Sequence, residues 1–181
     1  MAILLVNGSP HRDGETKRAL RIVEEALIGD GCETVWVELG TGPGRGCVCC
    51  LRCTETARCA FDDDIANDLI DAMAAADGVV MGAPTYFGSI NGAFAAVLDR
   101  VFYAGSRHRR LFDGIPAAGV AVAHRAGSLS ALDRLNHYFT YAGMPVVSGI
   151  YWSSLLHGAD DRFGPKILTE LGHRMARASA R

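Results

Sequence analysis

The thiols of this chain are concentrated in one place. The stretch RGCVCCLRCTETARCAF (45–61) holds Cys47, Cys49, Cys50, Cys53 and Cys59, five of the six cysteines. Thiols gathered so closely suit a disulfide knot, a zinc site, a redox dithiol such as Cys47-x-x-Cys50, or the ligand set of an iron–sulfur cluster. With Cys49 left out, the spacing is Cys47-x2-Cys50-x2-Cys53-x5-Cys59. Structural zinc sites usually join two C-x2-C knuckles across a long gap. Three thiols at x2 intervals resemble instead the opening of a bacterial ferredoxin run, where a tight loop wraps a cubane. None of the cysteines has the arginine of C-x5-R, so a tyrosine phosphatase loop is excluded. Cys32, in a turn, is expected as a packed small residue.

Two more loops have ligand chemistry. In NGSPHRDGET (7–16) an apolar run turns directly into a helical pattern. Gly8 and Gly14 permit backbone shapes that other residues resist, Ser9 and Thr16 offer hydroxyls, and the helix start offers free N–H groups with a favourable dipole. Together they make a cradle for an anion such as phosphate. The loop is neither G-x-G-x-x-G nor G-x-x-x-x-G-K-[ST], so neither a dinucleotide fold nor an NTPase is indicated. The second loop, APTYFGSINGAF (83–94), carries Tyr86 and Phe87, which suit a flat ring, with Thr85, Gly88 and Ser89 as hydroxyl and backbone contacts. The histidines His108, His124, His137, His157 and His173 have no metal spacing. His124 with Arg125, and His157, stand where they could approach a ligand. Asp99 and Arg100 are expected as a helix-end salt link or subunit contact.

The elements that must position these loops alternate. Apolar runs at 2–7, 34–39, 78–83, 117–123 and 144–152 predict strands, and amphipathic stretches between and after them predict helices. The stretch DDDIANDLIDAMAAA opens with acids that suit a helix N-terminus. Continuously apolar strands alternating with helices predict a parallel sheet covered on both faces. Five such units fit an α/β, doubly wound, flavodoxin-like sandwich of five parallel strands in the order 2-1-3-4-5. Its ligand crevice lies at the carboxyl ends of strands one and three, where the two loops above emerge. A phosphate joined to a flat heterocycle at that place describes flavin mononucleotide (FMN).

The 181 residues are expected to form one domain, 1–181, with a cysteine-rich loop at 40–61. A net charge of -2 gives no basic field for nucleic acid. The start MAILLVNGSP lacks the features of an export signal, and no apolar stretch approaches a membrane span. A cytoplasmic protein is therefore expected, which makes a disulfide framework the least expected use of the cysteines.

GSPHRDGET followed by PTYFGSINGAFAAVLDR resembles the flavodoxin-fold NAD(P)H-dependent FMN reductases, and most nearly their iron–sulfur flavoprotein branch. The resemblance covers nearly the whole chain, since SGIYWSSLLHG and the closing helix are also similar to that group. It implies that Ser9, His11, Arg12 and Thr16, with Gly14, Glu15 and the intervening backbone, hold the FMN phosphate. It places the flavin ring on Pro84, Thr85, Tyr86, Phe87 and Gly88, beside Ser89, with His124, Ala126 and Gly127 of HRAGS (124–128) edging it. His11 stands where the family usually has Arg, and Glu15 where it has Asn. The resemblance further implies a 4Fe-4S cluster on Cys47, Cys50, Cys53 and Cys59, a reduced nicotinamide donor, a small-molecule or protein acceptor, and a homodimer or homotetramer. It implies no catalytic side chain beyond the flavin-lining loops, because the flavin carries the chemistry. Two other readings stay open: an electron carrier without NAD(P)H turnover, against which the weak charge argues, and a domain whose cysteines serve thiol or zinc chemistry. The run RHRR (107–110) suits either a solvated face or the extra phosphate of NADPH.

Overall fold

The computed structural model describes residues 1–42, 44–106, 110–157 and 161–180. Among the described residues, six strands and six helices follow in the order β1 (Ala2–Asn7), α1 (Glu15–Gly29), β2 (Glu33–Glu38), α2 (Cys53–Thr56), α3 (Ala66–Ala74), β3 (Gly78–Tyr86), β4 (Ser89–Ile90), α4 (Gly92–Ser106), β5 (Ala117–Ala123), α5 (Ser128–Tyr141), β6 (Ser154–Leu156) and α6 (Gly164–Ser179). The sheet runs β2-β1-β3-β5-β6 with every pairing parallel, which is the expected 2-1-3-4-5 winding. The two-residue β4 pairs antiparallel with the end of β3, off this path.

Alternation within β1 shows why the strands are apolar throughout. Ile3 and Leu5 lie in one core with Ala19, Leu20 and Val23 of α1 and Leu168 and Leu171 of α6. Leu4 and Val6 point the opposite way, into a larger core with Leu69 of α3, Phe94 and Val97 of α4 and Leu135 of α5. A strand covered on both faces needs apolar side chains at every position. β1 lies between β2 and β3, so the winding reverses at its carboxyl end, where doubly wound folds place their ligand crevice.

Two elements differ from the expectation. The span 144–152 is not one strand. It touches β5 through Ala117 N donating to Pro145 O (2.9 Å) and Val147 N donating to Ala117 O (2.8 Å), then leaves the sheet. The chain rejoins through Ala121 N donating to Ser153 O (3.0 Å), and the last strand is β6. Buried Gly149 lies so near α6 that a Cβ there would meet Ile167 O at 2.8 Å. That approach draws the backbone off the ladder and leaves Ile150, Tyr151 and Trp152 exposed. The acids at 62–64 precede α3 instead of opening it. Asp64 Oδ1 accepts the Ala66 N–H (3.0 Å), and Asp62 Oδ1 accepts from Asn67 Nδ2 (2.9 Å).

Candidate functional site

The first loop is shaped by Asn7, fully buried at the end of β1. Its Oδ1 accepts the Ser9 N–H (3.1 Å), and its Nδ2 donates to Glu38 Oε2 (2.7 Å) and His11 O (3.4 Å). Glu38 also pairs with Lys17, whose ammonium sits over the Trp36 ring. Buried Ser9 accepts the His11 N–H at Oγ (3.1 Å), so its hydroxyl hydrogen is free to face outward. The glycine at position 8 is required by close approach, because a Cβ there would meet the Phe94 ring at 2.2 Å. Gly14 caps α1 without a side-chain hydrogen bond, and the first intrahelical bond is Arg18 N to Gly14 O (3.1 Å). The N–H groups of the first turn are thus left for a ligand. Glu15, the unexpected acid here, lies 3.4 Å from Arg18 Nη1 and 3.7 Å from His157 Nδ1. Those two partners occupy its carboxylate. Thr16 is buried, and His11 and Arg12 are exposed at the rim.

The second loop is a tight hairpin. Tyr86 pairs with Ser89 across Phe87 (φ 51°) and Gly88 (φ 77°). Two consecutive positive φ values are the signature of the turn that suits a two-residue hairpin. Phe87 is fully exposed at its tip and Tyr86 is exposed beside it. Thr85 Oγ1 is buried and finds no hydrogen-bond partner among the described residues. The third loop meets this hairpin. A Cβ on Gly127 (φ 90°) would stand 3.0 Å from Gly88 Cα and 3.1 Å from Thr85 Cγ2. His124 and His157 bring their rings within 5.6 Å at the ends of β5 and β6, with Ala126 exposed between His124 and Gly127. The fold therefore gathers Ser9, Gly14, Glu15 and Thr16, the 84–89 hairpin, His124 and Gly127 at one end of the sheet. An uncapped helix start, an unpaired buried hydroxyl and two aromatics beside a glycine-lined loop fit FMN. Of RHRR, 107–109 lie outside the described residues, while Arg110 pairs with Asp113 (2.9 Å).

The cysteine segment forms a second pocket. Cys47, Cys49, Cys50, Cys53 and Cys59 line it together with Leu51, Phe61, Arg100, Tyr103 and Ala104. Its backbone is irregular, with positive φ at Cys49 (54°) and Leu51 (62°). Among the described residues no three His, Cys, Asp or Glu side chains stand close enough to hold a metal ion. The donor set, with four thiols on the lining of one cavity, fits a cluster in chemistry. Burial pushes the Cys53 thiol up from its ordinary range, and the nearby Cys47, Cys50 and Cys59 add to this. Cys47, Cys49 and Cys50 are exposed, and Cys32 is buried elsewhere, as expected of a packed small residue.

Two residues that anchor this pocket were not foreseen. Asn67, buried on α3, accepts the Cys59 N–H (2.8 Å) and donates to Cys59 O (3.1 Å) and Phe61 O (3.4 Å). Arg100 is not a helix-end link. It is 2 % exposed on α4, ion-paired with Asp64, and its Nη1 donates to Cys59 Sγ at 3.6 Å. Burial opposes ionisation of Asp64, but the Arg100 hydrogen bond overcomes it and holds the carboxyl below the usual range. A sequence signal did exist: an arginine three residues after buried Val97 and four before buried Ala104 lies on the apolar side of its helix. Asp99 turns the other way, to Tyr138 Oη (2.5 Å) and Arg134 (3.1 Å).

The chain is similar to known proteins over most of its length. Residues 1–156 match the family described as NADPH-dependent FMN reductase. An iron–sulfur flavoprotein of Methanocaldococcus jannaschii is 27% identical over 149 residues, 81% of this chain and 76% of the relative. Another, from Methanosarcina thermophila, is 24% identical over 182 residues, 97% of this chain and 93% of the relative. The crystal structure of a WrbA-like flavodoxin from Agrobacterium tumefaciens superposes with a TM-score of 0.69 at 15% identity, over 99% of this chain and 96% of that one. The chain belongs to the NADPH-dependent FMN reductase family, in its iron–sulfur flavoprotein branch. It is an FMN-dependent oxidoreductase of flavodoxin-like fold.

Proposed function

We propose that this protein draws electrons from a reduced nicotinamide into FMN and passes them to a small-molecule or protein acceptor, with a 4Fe-4S cluster held by Cys47, Cys50, Cys53 and Cys59. FMN supplies two-electron chemistry with the nicotinamide, and the cluster supplies one-electron transfer onward. The first-turn N–H groups of α1, with Ser9, His11, Arg12, Gly14 and Thr16, bind the phosphate. Arg18 pairs with Glu15 and offsets its repulsion of the phosphate. Pro84 to Ser89 and His124, Ala126 and Gly127 orient the ring, and Thr85 Oγ1 supplies a hydrogen bond that it lacks within the chain. The whole chain acts as one FMN-binding unit in a homodimer or homotetramer of the cytoplasm.

The observation that carries this reading is the meeting of the hairpin and the third loop at Gly127, beside the uncapped start of α1. The test is the absorption spectrum of protein purified without oxygen, before and after dithionite, followed by steady-state NADH and NADPH oxidation. Resolved flavin bands with a broad bleachable shoulder, and nicotinamide turnover, are expected. Flavin bands alone return the cysteines to thiol or zinc chemistry, and negligible turnover makes the protein a carrier. A colourless protein that takes up no FMN overturns the reading.

A further inference from the structure

Arg100 has an unusual set of partners for a buried guanidinium. Its side chain is 1% exposed and that of Asp64 4%, so both charges have lost nearly all water. A buried ion pair of this kind is weak evidence for stability, because desolvation offsets the attraction and apolar replacements often do as well. Val97, Val101 and Ala104 show that this part of α4 is otherwise apolar. Asp64 engages the guanidinium, yet Nη1 reaches beyond it to Cys59 Sγ at 3.6 Å. Arg100 Nε is buried with no partner among the described residues. The guanidinium therefore keeps unsatisfied donor capacity on the wall of the cysteine pocket. A neutral thiol is a poor acceptor for it, whereas a metal-bound thiolate is a good one.

The surrounding bonds fix this alignment. Asp64 Oδ1 is tied to the Ala66 N–H at the start of α3, while its other oxygen engages Arg100. One residue further along, Asn67 grips both the N–H and the C=O of Cys59. Carboxylate, guanidinium and sulfur are thus held from α3 and α4, not left to the loop. Hydrogen bonds and net charge at cluster sulfurs are main determinants of a cluster's potential.

We propose that Arg100 is a positioning residue of the cysteine site: its guanidinium donates to the Cys59 sulfur and raises the potential at which the bound cluster takes up an electron. Asp64 holds it there and partly offsets its charge. This inference rests on the cluster reading above.

The test uses the full chain, purified and loaded without oxygen, as wild type, Arg100→Gln, Arg100→Lys and Asp64→Asn. Iron and sulfide per chain are measured first. A dye-mediated redox titration then follows the cluster signal by electron paramagnetic resonance, with the flavin potential as an internal reference. Arg100→Gln is expected to disfavour cluster reduction about tenfold, a fall of about 59 mV for one electron. Arg100→Lys restores most of that loss, and Asp64→Asn shifts the cluster in the opposite direction. The flavin potential stays put in all of them. General damage to the fold would not produce opposite signs, and the upward shift in Asp64→Asn carries the test if Arg100→Gln does not fold. A loaded Arg100→Gln or Asp64→Asn variant with the wild-type potential, or shifts of one sign in these two, overturns the inference alone. A wild type that takes up neither iron nor sulfide overturns it together with the cluster reading.

Discussion

Replacing Gly127 by alanine perturbs the junction of the two ring loops in a way that can be separated into parts. The φ of 90° is a conformation that L side chains resist, and the added Cβ would stand 3.0 Å from Gly88 Cα and 3.1 Å from Thr85 Cγ2. Gly31 supplies the control, since its φ is 81° and a Cβ there would meet nothing within 4 Å. Left-handed backbone costs an alanine about 1–2 kcal/mol. At about 2–4 °C per kcal/mol for a domain of this size, Gly31→Ala should lower Tm by about 2–8 °C. Gly127→Ala carries that same strain plus the contact, which moves the 84–88 hairpin by a few tenths of an ångström. Restoring the hairpin to hold the flavin then costs about 1–2 kcal/mol, in the range of mild overpacking. FMN affinity should accordingly fall about 5–30-fold in Gly127→Ala and stay unchanged in Gly31→Ala. Fluorescence titration of the apoprotein with FMN measures the affinity, and a thermal melt measures the strain. Wild-type FMN affinity in Gly127→Ala, or an equal loss in Gly31→Ala, would refute the reasoning.

Asn67→Ala removes three hydrogen bonds from the Cys59–Phe61 backbone and leaves the Cys59 N–H without its partner. It should cost about 2–3 kcal/mol in urea unfolding of the metal-free protein, while FMN binding by the folded fraction is retained. In the metal-free protein, exposed Cys47, Cys49 and Cys50 should alkylate faster than Cys53, whose thiol burial pushes up, and much faster than buried Cys32. After cluster loading only Cys49 should remain reactive, as peptide mapping by mass spectrometry will report. Asp64 has a lowered pKa in the fold, so its contribution to stability is complete above the ordinary carboxylate value and is lost as pH falls through the folded one. Stability of the metal-free protein should therefore drop at pH below about 4. Asp64→Asn should flatten that part of the pH profile; an unchanged slope would remove Asp64 from the account.

The alternation of apolar runs and helical stretches was enough to recover the winding, because parallel strands covered on both faces have few other sequences open to them. The turns that end β1 and β3 were legible for a related reason, since Gly8 and Gly88 stand at the ends of apolar runs; that the second closes as a two-residue hairpin was not foreseen. What failed to read was decided at a distance. Gly149 displaced the last strand through its approach to Ile167, eighteen positions away by number, which no local pattern records. Arg100 read as a helix-end charge, and nothing singled out Asn67, until folding brought α3 and α4 against Cys59. The partnership of Glu15 with His157 likewise needed β6 to lie beside β5.

Helix α4 links these two regions as a common ruler. At one point its Phe94 ring fills the space under Gly8, and six residues later Arg100 meets the cysteine pocket. Six residues of α-helix span about 9 Å. A single residue inserted between them would advance the far end by about 1.5 Å and rotate it by about 100°, swinging the guanidinium away from Cys59 even if every cysteine were untouched. On the proposed cluster reading, the spacing between positions 94 and 100 is as much a part of the cysteine site as the spacing of the thiols.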